Sequence, residues 1–359
     1  MIYKNVPMVS KVVFGRGSFS QLPEILSPLR LNSDAPFLFI VDKVFQGNSF
    51  LTSRIPLAYR DEILYVSVDD EPTTYKIDEI TEDIILRFPQ KPSAIIGIGG
   101  GSVLDIAKAV SIMLTNPGNA ESYLGIGLVR NAPIYHIGIP TLSGTGAEVS
   151  NKSVLIGGDG KSSIVSDYIT FDQVILDPEL IQNVPQDQWF YSAADCFIQS
   201  VESEAGHYSN ALSTSHAREA MKTLEKVLLR EIDSEPRQEQ LMLGSWHSGL
   251  SALHSNNGIC RALSFGLIDV LGLKHAISNC IVFNALSDYF PEKVEEFKQM
   301  MLIHNIDLPQ NLSSNLSDSE IKRMAKISIN YQDYWKNAFG NSWKTKFSLD
   351  DIIKLYNIM

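Results

Sequence analysis

At 359 residues, with 44% hydrophobic and 20% charged side chains, the chain is long enough for two domains and has the balance of an ordinary globular protein. A formal charge of −11 argues against a general nucleic-acid binder, whose affinity rests on Lys and Arg neutralising phosphates, and the sequence has no apolar run long enough to span a bilayer. Cys196, Cys260 and Cys280 are too few and too scattered for a disulfide framework and include no C-x-x-C pair, so they read as buried thiols. The start, Met1 to Asn5, carries neither a basic segment with an apolar core nor an Arg-rich presequence. The expectation is a cytoplasmic protein that acts on a small molecule.

In chain order, Val9 to Phe14 predicts a strand ending at Gly15-Arg16-Gly17-Ser18, with a short helix from Ser18 through Leu26. Pro36 to Asp42 is a nearly continuous apolar run, as expected of a strand covered on both faces, and it stops at an acid. In dinucleotide folds such an acid accepts hydrogen bonds from the adenine ribose and repels a 2′-phosphate; it is also a common turn residue. Ile63 to Val68 predicts a strand, Tyr75 to Arg87 an amphipathic helix, Ala94 to Ile98 a strand and Ser102 to Leu114 a helix. Strands alternating with helices imply a parallel sheet that binds ligands beyond the carboxyl ends of its strands.

The junction between the last two elements is Gly99-Gly100-Gly101-Ser102. Three residues without side chains admit a bulky anion, and backbone N–H groups at the positive end of a helix favour negative charge there. The turn therefore suits a phosphate or pyrophosphate, although the same glycines also serve a tight connection. Pro133 to Pro140 is a further strand, with His136 read as a core histidine, and it feeds Thr141-Leu142-Ser143-Gly144-Thr145-Gly146-Ala147-Glu148. That loop offers neutral donors to ribose, diphosphate or an amide.

After Leu176-Asp177-Pro178-Glu179-Leu180, glycine and β-branched runs thin out. Helical spacing covers Gln188 to Ser203, Asn210 to Arg230, Arg237 to Leu253, Glu292 to Asn305 and Asp318 to Lys326. The predicted architecture is an α/β Rossmann-like domain over residues 1–180, followed by an all-α domain over 181–359 that completes an active-site cleft.

Four ordered motifs, Gly99-Gly100-Gly101-Ser102-x-x-Asp105-x-Ala107-Lys108, Pro140-Thr141-x-x-Gly144-Thr145-Gly146-x-Glu148, Leu176 to Leu180 and the helix around Asp195, resemble the iron-containing (group III) alcohol dehydrogenases. The likeness runs from about Val12 to about Asn284 and is nearest the branch that includes 3-deoxy-manno-octulosonate 8-oxidase. The resemblance implies a homodimer that uses NAD and a divalent metal, zinc or iron, to interconvert a primary alcohol and an aldehyde. It implies that Asp42 holds the adenine ribose, that Gly99, Gly100, Gly101 and Ser102 with Asp105 hold the pyrophosphate, and that Thr141, Ser143, Thr145 and Lys161 serve the nicotinamide side.

Against the family's ligand pattern the chain keeps Asp195 and His275 but has Gln199 and Arg261 at the other two positions, and Phe265 where an auxiliary histidine often stands. Gln199 is a poor substitute for imidazole, and Arg261 has no lone pair to give. Fourteen residues of unbroken helix would part Arg261 from His275 by roughly 21 Å, so a shared site requires a turn, for which Gly272 provides a place. His247 and His254 precede Arg261 at seven-residue steps and are weighed either as a replacement ligand on one helical stripe or as packing residues. The expectation is that Arg261 neutralises Asp195 in place of the metal, with Arg261 and His275 left to do the chemistry. The competing expectation is a weakened relative that binds NAD as a partner or sensor; a non-redox enzyme of dehydroquinate-synthase architecture ranks last.

Overall fold

The computed structural model describes residues 6–158, 160–230 and 234–359; the Met1 to Asn5 start read above lies outside them. The chain divides into two compact units, Met1–Asn183 and Val184–Met359.

In the first unit the strands are β1 (Lys11–Phe14), β2 (Phe37–Asp42), β3 (Glu62–Val66), β4 (Ala94–Gly99), β5 (Gly125–Ile126), β6 (Tyr135–Pro140), β7 (Lys152–Gly157), β8 (Gly160–Val165) and β9 (Gln173–Leu176). The helices are α1 (Leu22–Asn32), α2 (Ser49–Thr52), α3 (Thr74–Arg87) and α4 (Gly101–Met113). Six strands pair parallel in the order β1-β9-β6-β4-β2-β3. Successive side chains of β2 and β4 point to opposite faces, and helices cover both. Leu38, Ile40 and Ile95 cluster with Ile77 of α3 and Val103 of α4, while Phe39, Val41, Ile96 and Ile98 cluster with Leu22 and Leu26 of α1. This two-sided burial is why these strands read as unbroken apolar runs.

The chain leaves β2 for β3 at the sheet's edge, then returns to lay β4 on the other side of β2. The reversal of direction falls between β2 and β4, whose carboxyl ends carry Asp42 and Gly99. A feature absent from the sequence expectation is a small sheet in the order β5-β8-β7, with β7 and β8 an antiparallel hairpin that carries Lys161. The buried carboxylate of Asp177 accepts from the N–H groups of Gly17 (2.9 Å), Phe19 (2.9 Å) and Glu179 (3.0 Å), which ties the N-terminal loop to the end of β9. His136 is 1% exposed with its Nε2 3.3 Å from the Ile169 carbonyl, as befits a core histidine.

The second unit contains α5 (Gln186–Ala205), α6 (Ala211–Leu228), α7 (Ser234–His254), α8 (Ile259–Leu271), α9 (His275–Asn284), α10 (Pro291–Ile303), α11 (Asp318–Asn330), α12 (Gln332–Phe339), α13 (Trp343–Lys346) and α14 (Leu349–Asn357). Helix α5 is buried along most of its length, including Asp195, Gln199 and Glu202, which its period brings to neighbouring turns. Helix α8 ends at Leu271, Gly272 takes the left-handed conformation (φ 66°) that glycine adopts without strain, and α9 opens at His275. That turn folds α9 back beside α8. The last helices, not foreseen, close on an aromatic cluster in which Trp335 stacks on Trp343 (5.2 Å) and Phe339 meets Phe347 (4.4 Å).

Gly97 marks where α4 lies directly on β4: a Cβ there would fall 2.7 Å from the Ala107 Cβ and 3.5 Å from Leu104 Cδ2. Gly97→Ala is predicted to destabilise the protein by about 1–3 kcal/mol through overpacking. Urea denaturation checks it: the midpoint should fall with the slope unchanged, and an unaltered midpoint would mean that the helix is not seated on the strand.

Candidate active site

In the first unit Gly100 caps the N-terminus of α4 with no side-chain hydrogen bond, so the positive end of a thirteen-residue helix meets the Gly99–Ser102 turn. The Gly100 φ of −73° and ψ of −176° are open to any residue, and a Cβ there would touch only Leu142, at 3.7 Å. What glycine supplies at position 100 is space rather than conformation. The two loops meet here, since the Thr141 N–H donates to the Gly99 carbonyl (3.0 Å) and a Cβ on Gly101 would fall 2.9 Å from Thr145 Oγ1. Ser143 is 3% exposed, and its hydroxyl has no hydrogen-bond partner among the described residues.

Asp42 accepts from the Val44 N–H (3.1 Å); burial pushes its carboxyl up, the Val44 hydrogen bond opposes that, and Asp69 adds to it. Lys161 pairs with Glu71 at 2.7 Å, and both act electrostatically on buried Asp105, whose carboxyl burial pushes up. Lys108 is fully buried, and its ammonium donates to the carbonyls of Ala147 (2.5 Å), Ser150 (2.8 Å) and Lys152 (3.1 Å), pinning the hydroxyl-rich loop to α4. Glu148 is also buried, and loss of solvation raises its carboxyl to about 6 against the Lys108 charge.

The second unit holds a closed polar centre around Asp195, which is 2% exposed. An Arg261 Nη stands 3.6 Å from Asp195 Oδ1 and donates to Gln199 Oε1 at 3.2 Å. Gln199 Nε2 donates to Ser248 Oγ (3.0 Å), which donates to the Cys196 carbonyl (2.9 Å). Asn279 Nδ2 donates to Asp195 Oδ1 in a short hydrogen bond and lies 3.2 Å from His275 Nε2. His275 Nε2 is 3.9 Å from the second Asp195 oxygen, which has no hydrogen-bond partner among the described residues. Below, Glu202 accepts from the N–H groups of Gly258 (3.0 Å) and Cys260 (2.6 Å) at the start of α8, and burial raises its carboxyl to about 7 against those hydrogen bonds and the Arg261 charge.

The chain thus brings Asp195, Gln199, Arg261 and His275 together, but as a hydrogen-bonded set that does not fit a metal ion. The Arg261 guanidinium and the Asn279 amide present donors, not lone pairs, to the oxygen and nitrogen a cation would need. Among the described residues no three His, Cys, Asp or Glu side chains stand ready as a cage. The nucleotide-type residues lie in the first unit and this centre in the second. Asn279, Ser248 and Glu202 were missed in the sequence; Asn279 sits four residues after His275, the same one-turn spacing that pairs Asp195 with Gln199. The stripe joining His247, His254 and Arg261 does not exist, because α7 ends at His254 and Arg261 belongs to α8. Both histidine rings instead stack on His216 of α6.

Residues 9–178 match the family model described as iron-containing alcohol dehydrogenase. The chain is 33% identical over 240 residues to a sulfoacetaldehyde reductase of Bilophila wadsworthia, a match covering 64% of this chain and 61% of that protein. The chain thus spans about three fifths of that curated relative. Among solved structures, a 1,3-propanediol oxidoreductase superposes with a TM-score of 0.84 at 17% identity, covering 99% of both chains. A sulfoacetaldehyde reductase of Bifidobacterium kashiwanohense, solved in complex with NAD+, superposes with a TM-score of 0.81 at 20% identity, covering 99% of this chain and 98% of its own. At these identities the structures establish the two-part fold.

The polar centre makes two predictions. Arg261→Met should cost about 3–5 kcal/mol by leaving the Asp195 charge buried and uncompensated, and adding Asp195→Asn should restore most of it; a double-mutant cycle by urea denaturation reads the coupling, and additive losses would mean the two side chains do not neutralise each other. For Glu202, a carboxyl raised from an ordinary 4.5 to about 7 makes the folded state bind more protons than the unfolded one between those values. Its contribution is fully present below about pH 4.5 and is lost as pH rises through about 7. Stability measured from pH 5 to 8 should therefore decline more in the natural protein than in Glu202→Gln, and parallel curves would refute the assignment.

Proposed function

We propose that this chain, which belongs to the iron-containing alcohol dehydrogenase family, is an NAD-dependent oxidoreductase that interconverts a primary alcohol and its aldehyde without a tightly held metal ion. The observation that carries the metal-free reading is the Arg261 guanidinium lodged between Asp195 and Gln199, with Asn279 on His275. The nucleotide reading is supported by the helix end at Gly100, the unsatisfied Ser143 hydroxyl and Asp42 at the sheet's reversal point.

In this reading Asp42 accepts from the adenine ribose hydroxyls, the backbone N–H groups of Gly99 to Ser102 take the pyrophosphate with Asp105 behind them, and Thr141, Ser143, Thr145 and Lys161 orient the nicotinamide. NAD supplies the hydride acceptor. Arg261 donates hydrogen bonds to the substrate oxygen as negative charge grows there, and His275 takes the hydroxyl proton. Because Asn279 Nδ2 holds His275 Nε2, proton acceptance there requires the amide to give way. A guanidinium lacks the Lewis acidity that lowers an alcohol's pKa, so turnover should be slow. A sugar-acid hydroxyl is the narrower substrate proposed, in a cytoplasmic homodimer. The same filled centre favours a second reading, an NAD-binding relative that has lost turnover and serves as a partner or sensor.

Calorimetry should show NAD preferred over NADP by at least about tenfold, roughly 1.4 kcal/mol, and Asp42→Gly should erase the preference by removing the carboxylate that repels the 2′-phosphate. Equal affinities in the natural protein would defeat the nucleotide assignment. The purified protein should carry no stoichiometric metal, whereas Gln199→His with Arg261→His should gain zinc or iron; metal held by Asp195 and His275 in the natural protein would overturn the metal-free reading. Turnover against a panel of alcohols and aldehydes separates the two functions: NAD binding with no turnover selects the second.

A further inference from the structure

Lys108 carries a buried charge that is received by carbonyls and a hydroxyl rather than by a carboxylate. Its Nζ donates to the carbonyls of Ala147, Ser150 and Lys152 and to Ser150 Oγ at 2.9 Å, and the Phe171 ring lies 5.0 Å away. Asp105 and Glu148 act on it electrostatically, opposing the burial that pulls its ammonium down. Carbonyl oxygens gathered from one short stretch of chain repel one another unless a donor stands among them, so the path of residues 147–152 depends on the ammonium. The start of the same loop is fixed at the other end of α4, where the Thr141 N–H donates to the Gly99 carbonyl at 3.0 Å and Gly101 backs onto Thr145. Helix rise sets Lys108 roughly 10 Å along the axis from Gly101. One helix thus bears both the Gly99–Ser102 turn and the group that anchors the far end of the loop.

We propose that Lys108 is a positioning residue for the nicotinamide half of the nucleotide: by holding residues 147–152 it keeps Thr141, Ser143 and Thr145 in register with the Gly99–Ser102 turn, and so sets NAD affinity without touching the nucleotide. This inference rests on the nucleotide reading proposed above. Under it the two halves of the ligand depend on different parts of the chain. Asp42 and the glycine turn, which take the adenosine diphosphate half, stand at the ends of β2 and β4 and on the first turn of α4, and no hydrogen bond of the Lys108 ammonium goes to them. The nicotinamide half meets the loop, and without the ammonium the cost of ordering that loop falls on binding. Loss of Lys108 therefore weakens NAD and spares ADP.

Calorimetric titration of NAD and of ADP into the full chain tests the role. Both should bind the natural protein. Lys108→Met should weaken NAD by about tenfold or more while ADP changes by less than about twofold. Ser150→Ala, which removes one acceptor of the ammonium, should weaken NAD by a smaller factor and again spare ADP. ADP bound at its natural affinity reports that the sheet and α4 are intact. Should Lys108→Met not fold, Lys108→Gln, which keeps two N–H donors, carries the same comparison. An equal loss for both ligands would overturn the proposal and make Lys108 a support of the fold at large, and unchanged NAD affinity would overturn it as well. A natural protein that binds neither ligand would instead defeat the nucleotide reading, and this inference with it.

Discussion

A carboxylate buried in the helical unit has to be neutralised, and the arrangement around Asp195 follows from how this chain does it. An isolated ionised carboxylate in that position would be several kcal/mol too costly, so either a cation or a paired side chain must accompany it. Arg261 brings the charge, and its planar fork has donors to spare. One goes to Gln199, whose carbonyl oxygen receives it while the amide nitrogen passes the chain of hydrogen bonds to Ser248 and on to the Cys196 backbone. Glutamine at 199 and arginine at 261 are thus coupled. An imidazole at 199 could accept from the guanidinium only while neutral, and once protonated it would put a like charge beside it, whereas glutamine accepts at every pH.

The same reasoning separates what the sequence could reveal from what it could not. The alternation from β2 to α4 was legible because buried parallel strands are continuous apolar runs and the glycine turn announces each change of period. The β7–β8 hairpin was not: Lys152-Ser153-Val154-Leu155-Ile156 is short, and the partner strand Gly160 to Val165 carries Lys161, Ser162 and Ser163, which read as loop. Helices α12 and α13 escaped for a different reason, since they are short and pack through the aromatic contacts of Trp335 with Trp343 and of Phe339 with Phe347. Lys108 lay within a quoted motif, yet nothing in a lysine at helical spacing tells that its ammonium is spent on three carbonyls of another loop.

At the candidate site the divide runs between residue identity and residue state. The substitutions at 199 and 261 stand out only against the ligand pattern of the family the chain resembles, whereas the need for a turn near Gly272 follows from helix rise alone. Whether the centre is open or closed depends on rotamers. Asn279 decides it by occupying His275 Nε2 and an Asp195 oxygen together, and only packing of α9 against α5 sets that amide's reach.

The two units therefore answer different demands. In the first, the groups offered to a ligand are a helix end and hydroxyls such as Ser143, while the buried ammonium of Lys108 is consumed by structure and Lys161 is matched by Glu71. Under the proposed function such a surface would bind an anion through directed N–H and O–H groups with little fixed positive charge, so its selectivity would rest on shape and on the acid at Asp42. In the second unit Asp195 Oδ1 and His275 Nε2 are already engaged by the Asn279 amide and Gln199 Oε1 by Arg261, so a newcomer at those atoms must break an internal hydrogen bond before it can be recognised. Under the proposed reaction the nucleotide-side motifs are kept while the electrophile has changed from an ion to a side chain. That change trades Lewis acidity for a permanently attached, pH-independent cation. It shifts the difficulty of the reaction from acquiring a metal to freeing His275 from Asn279, a motion available to a neutral amide but not to a ligand held by a bound ion.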